Sequence, residues 1–260
     1  MSWPAQPAMT SKRRRHTTML NFFKKKPALD SYAGLGLDFH SHLLPGLDDG
    51  AQTIEDTLSL IRQMQELGFP RIVTTPHIYW ELYPNTRDRI LEKLDEVRAA
   101  LRENHIEVEL DAAAEYFLDE HFESLLKSNE PLLCVFGRCV LVETSFLAPH
   151  PQLEEYLFAM RMKGYTPILA HPERYAFLHH DFDQYERFLD MGCRFQVNLL
   201  SLTELYGRPV QKTTEKLLAL EMIDYFCTDL HHQAHADSLR GALKHKNVSK
   251  AIEYFKARLS

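Results

Sequence analysis

Apolar and polar positions alternate along this chain in a unit that recurs about every thirty residues, the length of a strand plus its crossover helix. Each unit opens with a short apolar run that closes on a polar residue. It continues through a polar loop into a helix-patterned stretch, and often ends on glycine. The first helix is predicted to start at Thr53, with Asp56 three positions on completing a capping box. Ile54, Leu58, Ile61, Met64 and Leu67 keep helical spacing, and Gly68 is the expected residue just past the end. Gly164 and Gly192 play the same closing part before the runs at 167–170 and 195–197. Further helices are predicted over 86–104, 119–127, 151–163, 181–191, 209–222 and 235–258.

Seven strand-like runs result, and six of them end on residues that bind metals well: His40-Ser41-His42, His77, Glu115, Glu143, His171 and Asp229-Leu230-His231. The seventh ends at Gln196-Val197-Asn198. Parallel strands need crossovers, and those are almost always right-handed. Seven units imply an α/β fold, a (βα)7 or distorted (βα)8 barrel resembling the TIM barrel. In such a barrel the C-terminal strand ends meet at one mouth, where the chemistry sits. An open doubly wound sheet is the competing architecture, but it would keep the first and seventh strands apart. Closure would gather five histidines and four carboxylates into one small volume, an arrangement that points to a multinuclear metal site and to hydrolysis.

Composition and charge narrow the class. The chain has 260 residues, 45% hydrophobic and 25% charged, as expected of a globular protein with a sizeable core. No apolar run approaches the roughly 18 residues needed to span a bilayer. The sequence carries no signal-peptide core, so a cytoplasmic protein is expected. Residues 1–30 hold a balance of +6 and the remainder −12. An acidic body argues against DNA or RNA as substrate. Residues 1–33 are expected to form a basic, disordered tail on a single domain spanning 34–260, with weak attraction to anionic lipid or an acidic partner as the other reading of that tail. Met19 is a second candidate start. Cys134, Cys139, Cys193 and Cys227 form no CxxC pair, which suits reduced thiols.

The individual signals are weak and gain force together. His40 and His42, two apart on a strand, point the same way and suit ligation of one ion or a hydrogen-bonded pair. Asp48-Asp49-Gly50 follows in the loop. Glu115 after three alanines could be a solvated strand end, whereas Glu143, closing an apolar run, needs a partner if buried. Mixed imidazole and carboxylate ligands suit manganese, iron or zinc, and such metals bring the pKa of bound water to about 7. Three divalent cations opposed by Asp49, Glu115, Glu143 and Asp229 would leave about +2, which suits a phosphate dianion. Arg174 is the candidate phosphate fork, with a salt bridge to Glu173 or a nearby loop as the alternative. Tyr79, Trp80 and Tyr83 form either an aromatic wall for a flat substrate or a lid packed on the barrel. Cys-x5-Arg is absent, as is Asp-x-Asp-x-Thr/Val, so phosphocysteine and aspartyl-phosphate routes are excluded. The bridging lysine usual in amidohydrolases is replaced by Glu143.

The motifs Asp-Phe-His-Ser-His-Leu-Leu-Pro-Gly-Leu-Asp-Asp-Gly (38–50), Thr-Thr-Pro-His (74–77), Glu-Tyr (115–116), Val-Glu-Thr-Ser-Phe (142–146), Ala-His-Pro-Glu-Arg-Tyr (170–175) and Thr-Asp-Leu-His (228–231) resemble the PHP superfamily of metal-dependent phosphoesterases. Within it they resemble the bacterial manganese-dependent protein-tyrosine phosphatases of capsule and exopolysaccharide operons. The resemblance implies a distorted (βα)7 barrel of the PHP type holding three divalent ions, manganese first and iron or zinc next. His40, His42, Glu115 and Asp229 would hold one ion. Glu115, as a bridge, with Glu143 and His171 would hold a second, and Asp49, His77 and His231 a third. It further implies phosphotyrosine hydrolysis on the tyrosine-rich tail of a bacterial tyrosine kinase, with Arg174 clamping phosphate or assisting the leaving group. Family members often carry another arginine several residues after Asp-x-His, where this chain has His231-His232-Gln233-Ala234-His235. Arg240 is the nearest arginine, and His232 or His235 can stand in for it. Two rival readings are a small-molecule phosphomonoesterase of the histidinol-phosphatase kind and a metal-binding module that docks a kinase without catalysis.

Overall fold

Thr53 caps the first helix as its sequence predicts. Its hydroxyl accepts from the Asp56 amide, and the Asp56 carboxylate accepts from Thr53 in return. This helix, α1 (Ile54–Glu66), buries Leu58, Ile61 and Met64 on one face. It ends where Gly68 takes φ +97°, so that the Gly68 and Phe69 amides close on Gln65 and Met64. A side chain at Gly68 would be forced into the left-handed region, which explains the glycine. Gly164 and Gly192 end α4 (Leu153–Met162) and α5 (Phe182–Asp190) in the same way.

The computed structural model describes residues 29–128 and 130–259. Its strands are β1 (Arg71–Thr74), β2 (His77–Ile78), β3 (Glu109–Ala112), β4 (Glu115–Phe117), β5 (Cys139–Glu143), β6 (Thr166–Ala170), β7 (Arg194–Asn198) and β8 (Tyr225–Cys227). All pairings among them are parallel: β1 with β3, and β2-β4-β5-β6-β7-β8 in one sheet. The pairs β1/β2 and β3/β4 are halves of two predicted strands. They are interrupted at Thr75-Pro76 and Ala113-Ala114, since proline has no amide to donate. Hydrogen bonds from Ala113 to Thr74 and from Glu115 to Pro76 still bridge the gap, at 2.8 and 3.1 Å.

The first predicted strand, residues 38–42, is no regular ladder, yet it joins both sides of the ring. Asp38 bridges to Ile72 and Ser41 to Leu230. The Thr75 amide donates to Ser41 at 2.7 Å, while His42 donates to Leu230 and Asp229 to His40, both at 2.8 Å. The Asp38 side chain accepts from the Thr228 amide, taking a place that backbone would fill in a ladder. Backbone hydrogen bonds therefore link seven parallel segments into the distorted (βα)7 barrel.

Outside it lie α2 (Arg87–Glu103), α3 (Glu120–Ser128), α6 (Arg208–Ala219), α7 (Gln233–Ala242) and α8 (Lys246–Leu259). The last two replace the single helix expected over 235–258. The buried stripe Ala236, Leu239 and Ala242 loses helical phase before Val248, Ala251, Ile252 and Phe255, and the chain turns there. The tail expected over 1–33 lies outside the described residues up to 28. From residue 29 the chain is packed, so the boundary falls earlier than 33. Leu29 donates to Leu243, and fully buried Tyr32 donates its hydroxyl to Leu239. Among the described residues no helix is long and apolar enough to cross a membrane.

Candidate metal centre

Every ligand predicted from the sequence arrives at the same rim. His40 and His42 come from the ring-closing segment, Asp49 from the loop after it, and His77 opens β2. Glu115 opens β4, Glu143 ends β5, His171 follows β6, and Asp229 and His231 follow β8. Glu115 is the hub. Its Oε2 lies 3.1 Å from His40 Nε2, 3.5 Å from His42 Nε2 and 3.2 Å from His77 Nδ1, while Oε1 lies 3.1 Å from His171 Nε2. Asp229 Oδ1 lies 3.3 Å from His40 Nε2 and 3.6 Å from His42 Nε2. Glu143 Oε1 is 2.9 Å from His77 Nδ1. Asp49, exposed at the mouth, lies 3.7 Å from His77 Nε2 and 3.5 Å from His231 Nε2.

The donor atoms gather in four overlapping groups: His40/His42/Asp229, His40/Glu115/His171, His77/Glu115/Glu143 and His42/Asp49/His77/His231. In each, the atoms lie within 4.8 Å of one another. His40 Nε2, His42 Nε2, His77 Nδ1 and both Glu115 oxygens are buried without a hydrogen-bond partner. Buried polar atoms are normally satisfied, and a cluster of facing lone pairs is what a cation would fill. The residues fit a metal cluster on that ground.

A second ring of side chains aims the first. The His40 Nδ1 lies 2.7 Å from Gln196 Oε1, and His42 Nδ1 lies 2.8 Å from Asp48 Oδ2. The Nδ1 of His231 lies 2.9 Å from the Asp229 carbonyl. Those acceptors hold a proton on Nδ1, so that Nε2, once it gives up its own proton, would present a lone pair to a cation at the centre. Gln196 continues to Asn198, whose amide donates to Asp229 Oδ2 at 2.6 Å. Sequence reading assigned no role to Gln196, Asn198 or Asp48. The available signal was the i, i+2 spacing of Gln196 and Asn198, which copies that of His40 and His42. Gly50 lets the loop fold back: a Cβ there would collide with the His42 carbonyl. Two ligands, His171 and Asp229, have left-handed backbones (φ +33° and +52°), strain of the kind that concentrates at functional sites.

Charge is balanced within the cluster. Burial disfavours the charged form of His40, but Glu115 and Asp229 outweigh it and push the pKa up to about 9. For His77 burial is likewise outweighed, by Glu143 and Glu115, again up to about 9. Burial would raise Glu115 and Asp229, yet the imidazoles hold both well below the carboxylate range. His231 goes the other way, lowered to about 4 by burial and by His42. In metal-free protein the protons on His40 and His77 therefore stabilise the fold. That contribution is full below pH 6.5 and lost as pH rises through about 9. Metal must displace the same protons, so its affinity should climb across that window. Thermal unfolding after chelation, from pH 6 to pH 9.5, checks this. A melting temperature that rises with pH there would contradict the assignment.

Arg174 stands at the edge of a cavity of about 230 Å³ lined by Asp49, His77, Glu115, Glu143, His171, Asp229 and His231. Its Nη1 lies 3.0 Å from Asp229 Oδ2, so its partner is a candidate ligand rather than Glu173. The guanidinium carbon is held 4.7 Å from the Phe146 ring and 4.5 Å from the Tyr206 ring, both of which also line the cavity. Tyr79 and Trp80 do not. They stack on Phe117 and His121, and Tyr83 stacks on His77, so each of these rings packs on a neighbour beside the mouth. Arg240 is also misplaced as a substrate residue. It pairs with Glu66 at 3.2 Å, because the buried stripe of α7 turns it outward. His232 and His235, at the start of α7, line the cavity instead.

A parallel α/β barrel with an imidazole–carboxylate cluster at its C-terminal rim defines a barrel protein with a candidate multinuclear metal centre. The family model for capsular polysaccharide synthesis proteins of the CpsB/CapC type matches residues 36–253, and the chain belongs to that family. It is 24% identical over 196 residues to the tyrosine-protein phosphatase YwqE of Bacillus subtilis, covering 75% of this chain and 77% of that one. It is 27% identical over 202 residues to the tyrosine-protein phosphatase CpsB of Streptococcus pneumoniae, covering 75% and 83%. A crystal structure from a study of YwqE and CpsB, described there as unique metal-dependent tyrosine phosphatases, superposes with a TM-score of 0.74. That match covers 84% of this chain and 90% of the other at 23% identity, and it supports the fold.

Proposed function

We propose that this chain is a metal-dependent protein-tyrosine phosphatase acting in capsule or exopolysaccharide synthesis, with the chain from residue 29 onward as one catalytic domain in the cytoplasm. The observation that carries this reading is the conjunction at one rim of unpartnered, buried ligand atoms and a fixed guanidinium. His40, His42 and Asp229 would hold one ion, Glu143 and His171 a second, and Asp49, His77 and His231 a third, with Glu115 shared between the first two. The mixture of nitrogen and oxygen ligands suits manganese, with iron and zinc next. When bound, such ions supply a nucleophile from water near neutral pH and offset phosphate charge.

The chain's own residues do the rest. Asp48, Gln196 and Asn198 hold the ligands in orientation. Arg174, fixed by Asp229 and two rings, is placed to take phosphate oxygens as a planar fork. A phenol leaving group, with a pKa near 10, needs less help from an acid than an alkyl alcohol does. The substrate would be the phosphorylated tail of a bacterial tyrosine kinase. The basic segment before residue 29 would add weak attraction to an acidic partner or an anionic membrane.

Turnover of a phosphotyrosine peptide and of histidinol phosphate, on manganese-loaded protein of measured metal content, tests the reading. The peptide is expected to be the better substrate. A preference of about 100-fold for histidinol phosphate would reassign the enzyme to small phosphomonoesters. Inactivity on both at full metal content would favour a kinase-docking module.

A further inference from the structure

Tyr79 and Trp80 stack on Phe117 and His121 and do not line the cavity, which leaves open what meets the organic part of a substrate. Phe146 stands in the loop that leaves β5 directly after the ligand Glu143. Its ring is 5.3 Å from the His171 ring and 4.7 Å from the Arg174 guanidinium carbon. The loop holds it there: its carbonyl accepts from the Ala176 amide at 3.0 Å, and the Thr144 amide donates to the buried Tyr175 hydroxyl. The ring is nevertheless 38% exposed at the lip of a polar cavity. Tyr206, on the other side of Arg174, differs. Its hydroxyl is buried beside Asn198 and it packs on the guanidinium. Among the described residues, Phe146 joins the phosphate clamp, a candidate ligand ring and open solvent.

We infer that Phe146 is the specificity-determining residue that receives the aryl ring of a phosphate ester and separates aryl from alkyl phosphates at this site. The inference rests on the proposed phosphatase reading. An ester whose phosphate lies at the cluster and Arg174 carries its organic group outward across the lip. A flat ring there finds an exposed aromatic surface to pack against, with the edge or offset geometry that aromatic pairs favour. A short alkyl chain finds little. Phe146 touches no reacting atom in this scheme, and its effect falls on which ester is held.

The test uses full-length, manganese-loaded protein and two non-hydrolysable probes, phenylphosphonate and methylphosphonate, titrated by calorimetry. Wild type is expected to bind the phenyl compound more tightly. In Phe146→Ala that preference should fall roughly tenfold, with the loss for methylphosphonate, which meets only the loosened Arg174, smaller than the loss for the phenyl compound. Phe146→Leu, which keeps apolar bulk without the ring, should lie between them. The same change should appear in kcat/KM for phenyl phosphate against an alkyl phosphate. Equal loss for both probes would overturn the inference and reduce Phe146 to a support for Arg174. Equal binding of the two probes by wild type would overturn it while leaving the phosphatase reading intact. Binding of neither probe would overturn both.

Discussion

Glu115→Gln should abolish turnover while leaving a folded protein. The substitution keeps the shape of the side chain and removes the charge that four imidazoles face, at 3.1 to 3.5 Å. A neutral amide turns an N–H toward ligand nitrogens where a carboxylate turned lone pairs, so no cation can be shared at that position. Losing the metal contribution should cost at least about 4 kcal/mol of barrier, roughly a thousandfold in kcat. Metal content should fall in parallel, measured on dialysed protein by elemental analysis. Circular dichroism should show the helices retained, because Glu115 contacts the cluster and supports no helix. If Glu115→Gln kept more than about a tenth of wild-type activity with full metal content, the hub would be misassigned.

Arg174→Lys should separate phosphate binding from metal binding. A lysine preserves charge, but it cannot present two parallel N–H groups or lie flat between the Phe146 and Tyr206 rings. Loss of one preorganised charge clamp is worth about 3 to 4 kcal/mol, or a hundredfold to a thousandfold in kcat/KM. Metal content should stay near the wild-type value, since Arg174 meets the cluster only through the outer oxygen of Asp229. Steady-state kinetics with a phosphotyrosine peptide, alongside metal analysis, gives both readouts. Loss of metal with loss of activity would make Arg174 a support for Asp229. Retained activity would remove it from the site.

Much of this was legible before any coordinates. The capping box at Thr53 and Asp56, the closing glycines and the six strand ends bearing ligands are local properties, and each appears where the spacing places it. All nine candidate ligands meet, because strand ends in a parallel barrel have one place to go. The errors share a cause. Arg240 is the nearest arginine along the chain to His231, but the buried faces of Ala236 and Leu239 set the rotation of α7 and turn the arginine to Glu66. Tyr79 and Trp80 follow His77 in sequence, yet β4 and α3 offer Phe117 and His121 as stacking partners. The break at residues 243–245 was visible as lost phase in the apolar stripe.

The sequence by itself determined the repeating unit, the closed parallel architecture and the set of candidate ligands. Backbone period and side-chain chemistry are carried by each residue and its nearest neighbours, so they can be read one unit at a time. Only the tertiary structure decided that Gln196, Asn198 and Asp48 orient the imidazoles, and that Phe146 and Tyr206 grip Arg174. Apart from Asp48, which meets His42 within one unit, those contacts join residues from different units of the ring. Their geometry depends on how the units rotate and stagger when they close, a property of the packed barrel that no single segment contains.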